Sequence, residues 1–278
     1  MDFLYHYTSL EALALIIKNK TICFNNLLNV DDIEEAKTSD MGNFGKYVYV
    51  SCWTDDSEEL IPLWNLYTPN MHGVRIRLPK FPFNKYHYSA GEHFFNSDTE
   101  SYINYNDSSI MEKCSITADS PTLIKVSYTN DEKLLFPIIK KESYSGATID
   151  FLSANKLEEL SKKEPQISYS FDKLGNYKRE IWKFQNEWRY KITVAPMGIK
   201  ESNPPSFEVH KEYIRRLEDT LDMPPLQRIF LELDEKELEK LEVVFGPKMT
   251  DSEKIMAIAL LEKYAPNCSF RDSNLKIK

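Results

Sequence analysis

Leu4-Tyr5-His6-Tyr7-Thr8-Ser9-Leu10-Glu11-Ala12-Leu13 passes from one structural period to another within a single short stretch. Asp2 to Tyr7 is short, aromatic and alternating, and reads as a strand. Thr8 then stands three residues before Glu11, and Leu10, Leu13, Ala14 and Ile17 follow at helical spacing. This predicts a capping box, with the Thr8 hydroxyl on the first turn and Glu11 reaching back to the backbone. His6 is thereby placed at the carboxyl end of a strand, beside the free amides of a helix start. Such junctions commonly hold anionic ligands, because the unpaired amides and the helix dipole point outward. Tyr7, Thr8 and Ser9 add a ring and two hydroxyls there. His6 alone fits a buried structural hydrogen bond equally well.

Outward from this stretch, Asp31-Asp32-Ile33-Glu34-Glu35 reads as an acidic turn leading into a short helix, with its carboxylates solvated. Lys46 to Trp53 is rich in β-branched and aromatic residues and reads as a strand. Asp55 to Glu59 offers helix-start signals, and Pro62 fits a first helical turn. Trp64 and Tyr67, three apart, share one face of that helix. After a turn at Asn70 to Gly73, Val74-Arg75-Ile76-Arg77-Leu78 alternates as a half-buried strand, with both arginines on its outer face. Residues 80–119 read as an irregular insertion or lid, a kind of loop that is usually functional. Further strands are expected over Thr122–Tyr128, Glu187–Val194, Arg228–Leu233, Leu241–Phe245 and Ser269–Ile277. Helical patterns fall twice within Asp131–Lys163, broken near Ser143 to Gly146, and again at Tyr177–Trp182 and at Asp251–Tyr264 entered from Thr250. With neither repeat nor linker, residues 1–278 read as one α+β domain.

The 278 residues are 42% hydrophobic and 13% aromatic, enough for a sizeable core. Eight glycines against 16 tyrosines and 15 phenylalanines leave no Gly-rich phosphate loop. No apolar run nears the roughly 20 residues that cross a bilayer, and no leader pattern opens the chain, so a soluble cytoplasmic protein is expected. A formal charge of -8 disfavours a broad footprint on long nucleic acid but allows a small basic cleft. Cys23, Cys52, Cys114 and Cys268 form no CxxC pair and are expected as free thiols, and the five histidines suggest no metal site.

Asn186-Glu187-Trp188-Arg189-Tyr190 is the second segment that stands out. Glu187 falls where a new strand begins, and on a strand Glu187 and Arg189 point to the same side. Apolar neighbours raise a carboxyl pKa and Arg189 or Lys183 lowers it, so both charge states are open. An ordinary surface ion pair is the commoner reading of such a pair.

The opening motif, the acidic Asp31–Glu35, the strand ending Val50-Ser51-Cys52-Trp53, Leu63-Trp64 with Tyr67, Glu187-Trp188-Arg189 and Val244-Phe245-Gly246-Pro247 occur in this order along the chain. This order resembles a prokaryotic family known as domain of unknown function 2971. Asp31 stands where that family more often shows asparagine, and Cys52-Trp53 where Phe-Ser is more usual. The family is similar, more remotely, to ADP-ribosyltransferases. That resemblance implies a split mixed or antiparallel sheet flanked by helices. It also implies an enzyme that cleaves the nicotinamide glycosidic bond of NAD and passes ADP-ribose to a macromolecule, as a toxin or phage-defence effector. Carried onto this sequence, His6 would hold a ribose hydroxyl of NAD on the adenosine side. Ser51 would support the second strand, and Tyr67, beside Trp64, would stack on nicotinamide. Glu187 would stabilise the oxocarbenium-like charge, and Arg75, Arg77 or Arg189 would meet the pyrophosphate. The alternatives are an NAD glycohydrolase with water as acceptor, and a non-catalytic nucleotide- or partner-binding module. A Cys52–His6 hydrolase is the poorest reading, since nothing local activates the thiol.

Overall fold

Ten strands make up the main sheet: β1 (Phe3–Thr8), β2 (Thr21–Asn26), β3 (Val48–Thr54), β4 (Val74–Pro79), β5 (Ser115–Ile116), β6 (Thr122–Lys125), β7 (Glu187–Ala195), β8 (Arg228–Glu232), β9 (Glu242–Phe245) and β10 (Ser269–Asp272). The computed structural model describes residues 2–143, 166–202, 206–219, 221 and 223–277. The strands run in the order β8-β2-β3-β1-β4-β9-β10, with β7 on β3 and with β5 and β6 on β7. All pairings in this sheet are antiparallel except β9–β10. The chain is thus a single mixed α+β domain built on a mostly antiparallel sheet.

The register at β3 decides where the site lies. β7 pairs with β3 from Glu187 opposite Thr54 to Thr193 opposite Val48, which occupies one edge of β3 along its length. On the other edge, β1 meets β3 at Tyr5–Thr54, and β2 meets it at Asn25–Val50 and Asn26–Tyr49. β1 and β2 therefore splay apart, and the edge of β3 at Ser51, Cys52 and Trp53 lies between them without a strand partner among the described residues. On its far side β1 pairs with β4 in full, from Phe3 opposite Pro79 to Thr8 opposite Val74.

The helix joining β1 to β2, α1 (Leu10–Asn19), buries Leu13, Ile16 and Ile17 at helical spacing. Each such side chain contributes about 1.5–3 kcal/mol on burial. Its N-cap is Ser9, whose hydroxyl accepts from the Ala12 amide, and not the expected Thr8. Either hydroxyl suits a cap, but the pairing of Thr8 with Val74 keeps Thr8 in the strand and shifts the cap by one residue. α2 (Ile61–Tyr67) starts with Pro62 in its first turn, as expected. The last long helix, α3 (Asp251–Tyr264), has a full capping box of Thr250 and Glu253 and packs against α1.

Several expectations are corrected. Lys46 lies in a 3₁₀ turn (Phe44–Tyr47) ahead of β3. Residues 33–36 form turns rather than a helix. Asp131 caps one helical turn, Glu132–Leu135, and Lys140–Ser143 is a strand; the second pattern of that stretch lies outside the described residues. Tyr177–Lys178 is a short strand parallel to Ser127–Tyr128, followed by a 3₁₀ helix over Glu180–Gln185. The closing strand stops at Asp272. Residues 80–119, read as irregular, contain regular structure. Tyr86–Tyr88 pairs with Thr99–Ser101, and Tyr88, Phe94, Phe95 and Tyr105 pack ring against ring.

Gly73 marks a close approach beside the site. A Cβ there would lie 2.3 Å from the Thr8 carbonyl oxygen and 2.7 Å from Thr68 Cβ. Both are rigid neighbours, so Gly73→Ala lowers stability by about 1–3 kcal/mol, the usual cost of overpacking. The check is the urea unfolding midpoint, and an unchanged midpoint would show that the Thr8 end of β1 yields freely.

Candidate functional site

The splay of β1 and β2 opens a cleft with two lobes, which share His6, Tyr7, Cys52 and Tyr67. The narrow lobe, about 50 Å³, is completed by Tyr5, Trp53, Leu63, Gln185 and Glu187. The wide lobe, about 630 Å³, includes Thr8, Ser51, Lys178, Arg189 and Arg228. His6, Tyr67 and Glu187, expected far apart in sequence to form one site, are thus brought to one cleft.

His6 answers the unpaired edge of β3. Its Nδ1 lies 2.7 Å from the Cys52 carbonyl, and its ring packs 5.0 Å from that of Trp53. A carbonyl can only accept, so Nδ1 carries the proton and the neutral ring leaves Nε2 as an acceptor. Burial pushes the His6 pKa below its ordinary value, opposed by the bond to Cys52. The native state then binds fewer protons than the unfolded chain just below pH 6.5, and stability rises with pH in that window. The expected result is a loss of stability as pH falls from 6.5 toward 5 that is absent in His6→Gln, followed by urea unfolding at each pH. Parallel pH profiles for the two proteins would rule it out.

Glu187 sits in a network of four buried charges. The side chains of Glu35, Lys178, Glu187 and Arg189 are 2%, 2%, 4% and 0% exposed, which overturns both the surface ion pair and the solvated acidic turn expected from sequence. Lys178 Nζ lies 2.9 Å from Glu187 Oε2 and 3.2 Å from Glu35 Oε1. Arg189 Nε lies 2.5 Å from Glu187 Oε1, while its Nη1 pairs with Glu35 and donates to the Gly175 carbonyl at 2.9 Å. Among the described residues, Arg189 Nη2 is buried with no hydrogen-bond partner. Burial works to raise the Glu187 carboxyl, but the charges of Arg189 and Lys178 outweigh it and hold the group ionised, below the usual carboxylate range. Each Glu187 oxygen receives one of these donors and the Cys52 thiol bonds to the group as well, while a carboxylate has about four acceptor positions, so one remains.

Tyr67 closes the narrow lobe over this network. Its hydroxyl accepts from Gln185 Nε2 at 2.7 Å and bonds to Asp31, and Gln185 in turn accepts from Lys178 Nζ at 2.8 Å. Burial pushes the Tyr67 hydroxyl far up, so it stays protonated. The same holds for the Cys52 thiol, raised by burial and then by Glu187. With His6 bonded to the carbonyl of Cys52, nothing activates that thiol as a nucleophile.

The remaining expected residues divide. Tyr7, Thr8 and Ser51 line the cleft, although the Ser51 hydroxyl accepts from Trp53 Nε1 at 3.0 Å and Tyr7 Oη accepts from the Leu60 amide at 2.9 Å. Ser9 is committed to capping α1. Trp64 is fully buried against Tyr7, with rings 4.9 Å apart, and lines neither lobe. Arg75 is not on an outer face: it lies under Tyr5 and donates to the Ser57 and Glu58 carbonyls at 2.9 and 3.1 Å. Arg77 pairs with Glu242 at 3.0 Å. Neither arginine lines the cleft; of the three only Arg189 does. None of residues 80–119 lines it either.

A family model described as Protein of unknown function (DUF2971) matches residues 63–190. The resemblance to that family is thereby shown over a span holding Tyr67, Lys178, Glu187 and Arg189, while His6, Glu35 and Ser51 lie before it. No curated protein and no solved structure matches the chain. Among the described residues no helix is long and apolar enough to cross a membrane.

Proposed function

We propose that the chain binds NAD in the split cleft and is an ADP-ribosyltransferase-like enzyme, cleaving the nicotinamide glycosidic bond and passing ADP-ribose to a macromolecule. The observation that carries this reading is the convergence of His6, Tyr67 and Glu187 where β1 and β2 part from β3. In the reaction the bond from ribose C1′ to the nicotinamide nitrogen breaks, and its electron pair leaves with nicotinamide. Positive charge develops on the ribose, and a fixed, ionised Glu187 beside it supplies electrostatic stabilisation without reorganisation. The acceptor then attacks C1′ and loses a proton. His6 Nε2 is free to accept from a ribose hydroxyl, and Arg189 Nη2 is free to donate to phosphate.

At about 50 Å³ the narrow lobe has room for a water or two. A nicotinamide ring enters it once Tyr67, common to both lobes, swings aside, which makes Tyr67 the gate between them. The glycohydrolase alternative uses the same residues with water as acceptor. A different reading, a non-catalytic nucleotide-binding module, is favoured by one observation: the four buried charges sum to zero, as in a structural network. The deciding experiment is NAD titration of the purified chain with nicotinamide release followed over hours. Release supports the enzyme. Binding without release supports the module, and absence of both overturns the NAD reading.

A further inference from the structure

The outer face of the β2–β8 ribbon is an unusual floor for a cleft. β8 alternates regularly, with Ile229 and Leu231 in the core and Arg228, Phe230 and Glu232 outward. Two of the three outward residues are charged, and the one between them is a phenylalanine left 53% exposed. In register, Phe230 lies opposite Cys23 and Arg228 opposite Asn25, so these four share one face, and all four line the wide lobe. From α1, Leu15 lines the same lobe and is 59% exposed. A single exposed apolar side chain is ordinary on a protein surface. Two of them, from separate elements, line one lobe together with the polar side chains of Asn19, Asn25 and Arg228, and so offer a surface suited to a flat apolar ring with a polar edge.

We propose that Phe230 and Leu15 form a shelf on which a purine base stacks, with Arg228 and Asn25 at its polar edge. The shelf belongs to the wide lobe, at the end remote from Glu187, and as an adenine site it rests on the NAD reading given above. The lobe's volume of about 630 Å³ takes a nucleoside monophosphate, whereas the narrow lobe does not. Arg189 lines the same lobe, and its Nη2, buried and without a hydrogen-bond partner among the described residues, is left to the phosphate that follows the base. Phe230 is therefore a specificity-determining residue for the adenylate half of the ligand, with no part in bond cleavage.

The test is equilibrium titration of wild type, Phe230→Ala and Phe230→Trp with AMP and with ribose 5-phosphate, which lacks the base. Base–aromatic stacking is lost on alanine substitution, so Phe230→Ala weakens AMP binding about tenfold. Phe230→Trp retains it, and ribose 5-phosphate binds all three proteins alike. Phe230 is exposed, so both variants keep the wild-type melting midpoint. Equal AMP affinity in wild type and Phe230→Ala, or no AMP binding by wild type, overturns the shelf. Nicotinamide release from NAD, measured in parallel, tests the enzyme separately. AMP binding that depends on Phe230 without any release keeps the shelf and removes the transferase. Release with Phe230-independent AMP binding removes the shelf alone.

Discussion

Arg189→Met lowers the stability of the chain by about 3–5 kcal/mol, the usual cost of removing one partner from a buried ion pair. Methionine keeps much of the volume, so the loss reads charge rather than a cavity. What remains is two buried carboxylates, Glu35 and Glu187, facing a single Lys178. Neither carboxylate is exposed, and one negative charge is left buried without compensation. The double variant Glu187→Gln with Arg189→Met therefore loses less than the sum of the two single changes, because the second replacement relieves the charge stranded by the first. Acid acts on the same group. The Glu187 carboxyl titrates below its ordinary value near 4.5, so the stability it contributes is present above that pH and is lost as pH falls through the folded-state value. Urea unfolding of the four proteins checks both statements. A loss below about 1 kcal/mol in Arg189→Met would mean that water or a counterion reaches the network.

This network also shows what the sequence could and could not tell. β4, β7 and β8 alternate, and alternation is local, so their spans were legible to within a residue or two. α3 announced itself through Thr250 at its entry, a cap whose bonds with Glu253 depend on nothing distant. Glu187 and Arg189 were legible as same-face neighbours for the same reason. Their burial was not, since the side chains that cover them come from a turn near residue 35 and from a two-residue strand at Tyr177–Lys178. A glutamate in an acidic run looks solvated, and Lys178 falls in Tyr177–Trp182, which reads as helical although Tyr177–Lys178 is a strand. The only available signal for Glu35 was its place in a recurring motif order. Arg75 illustrates the complementary failure: alternation placed it on an outer face, but a strand can be covered on both faces, and the loop carrying Ser57 and Glu58 covers this one. The cleft was illegible in detail because it arises from a gap between β1 and β2, and strand period is silent about gaps.

On the proposed transferase reading, Glu187→Gln reduces nicotinamide release from NAD by about 10²–10³-fold, the range for removing one electrostatic contact from a transition state. The amide keeps the shape of the carboxylate and can still accept from Arg189 or from Lys178, but it brings a donor to one of two positions that now face donors. The variant is consequently less stable as well as less active, and the two effects must be read apart. Release is followed below the variant's own unfolding midpoint, with NAD affinity measured on the same sample. The oxocarbenium charge exists only in the transition state, so the expected pattern is a fall in kcat with NAD affinity largely retained. Tyr67→Phe provides the contrast: it removes the bonds to Gln185 and Asp31 while leaving Glu187 charged, so it changes how readily the narrow lobe opens and leaves the charge stabilisation in place. If folded Glu187→Gln retains more than about a tenth of the wild-type release, less than 1.4 kcal/mol of the barrier depends on this charge. Glu187 would then be the buried counterion of Arg189 and Lys178, and cleavage would have to draw on His6 and the bound geometry of NAD alone.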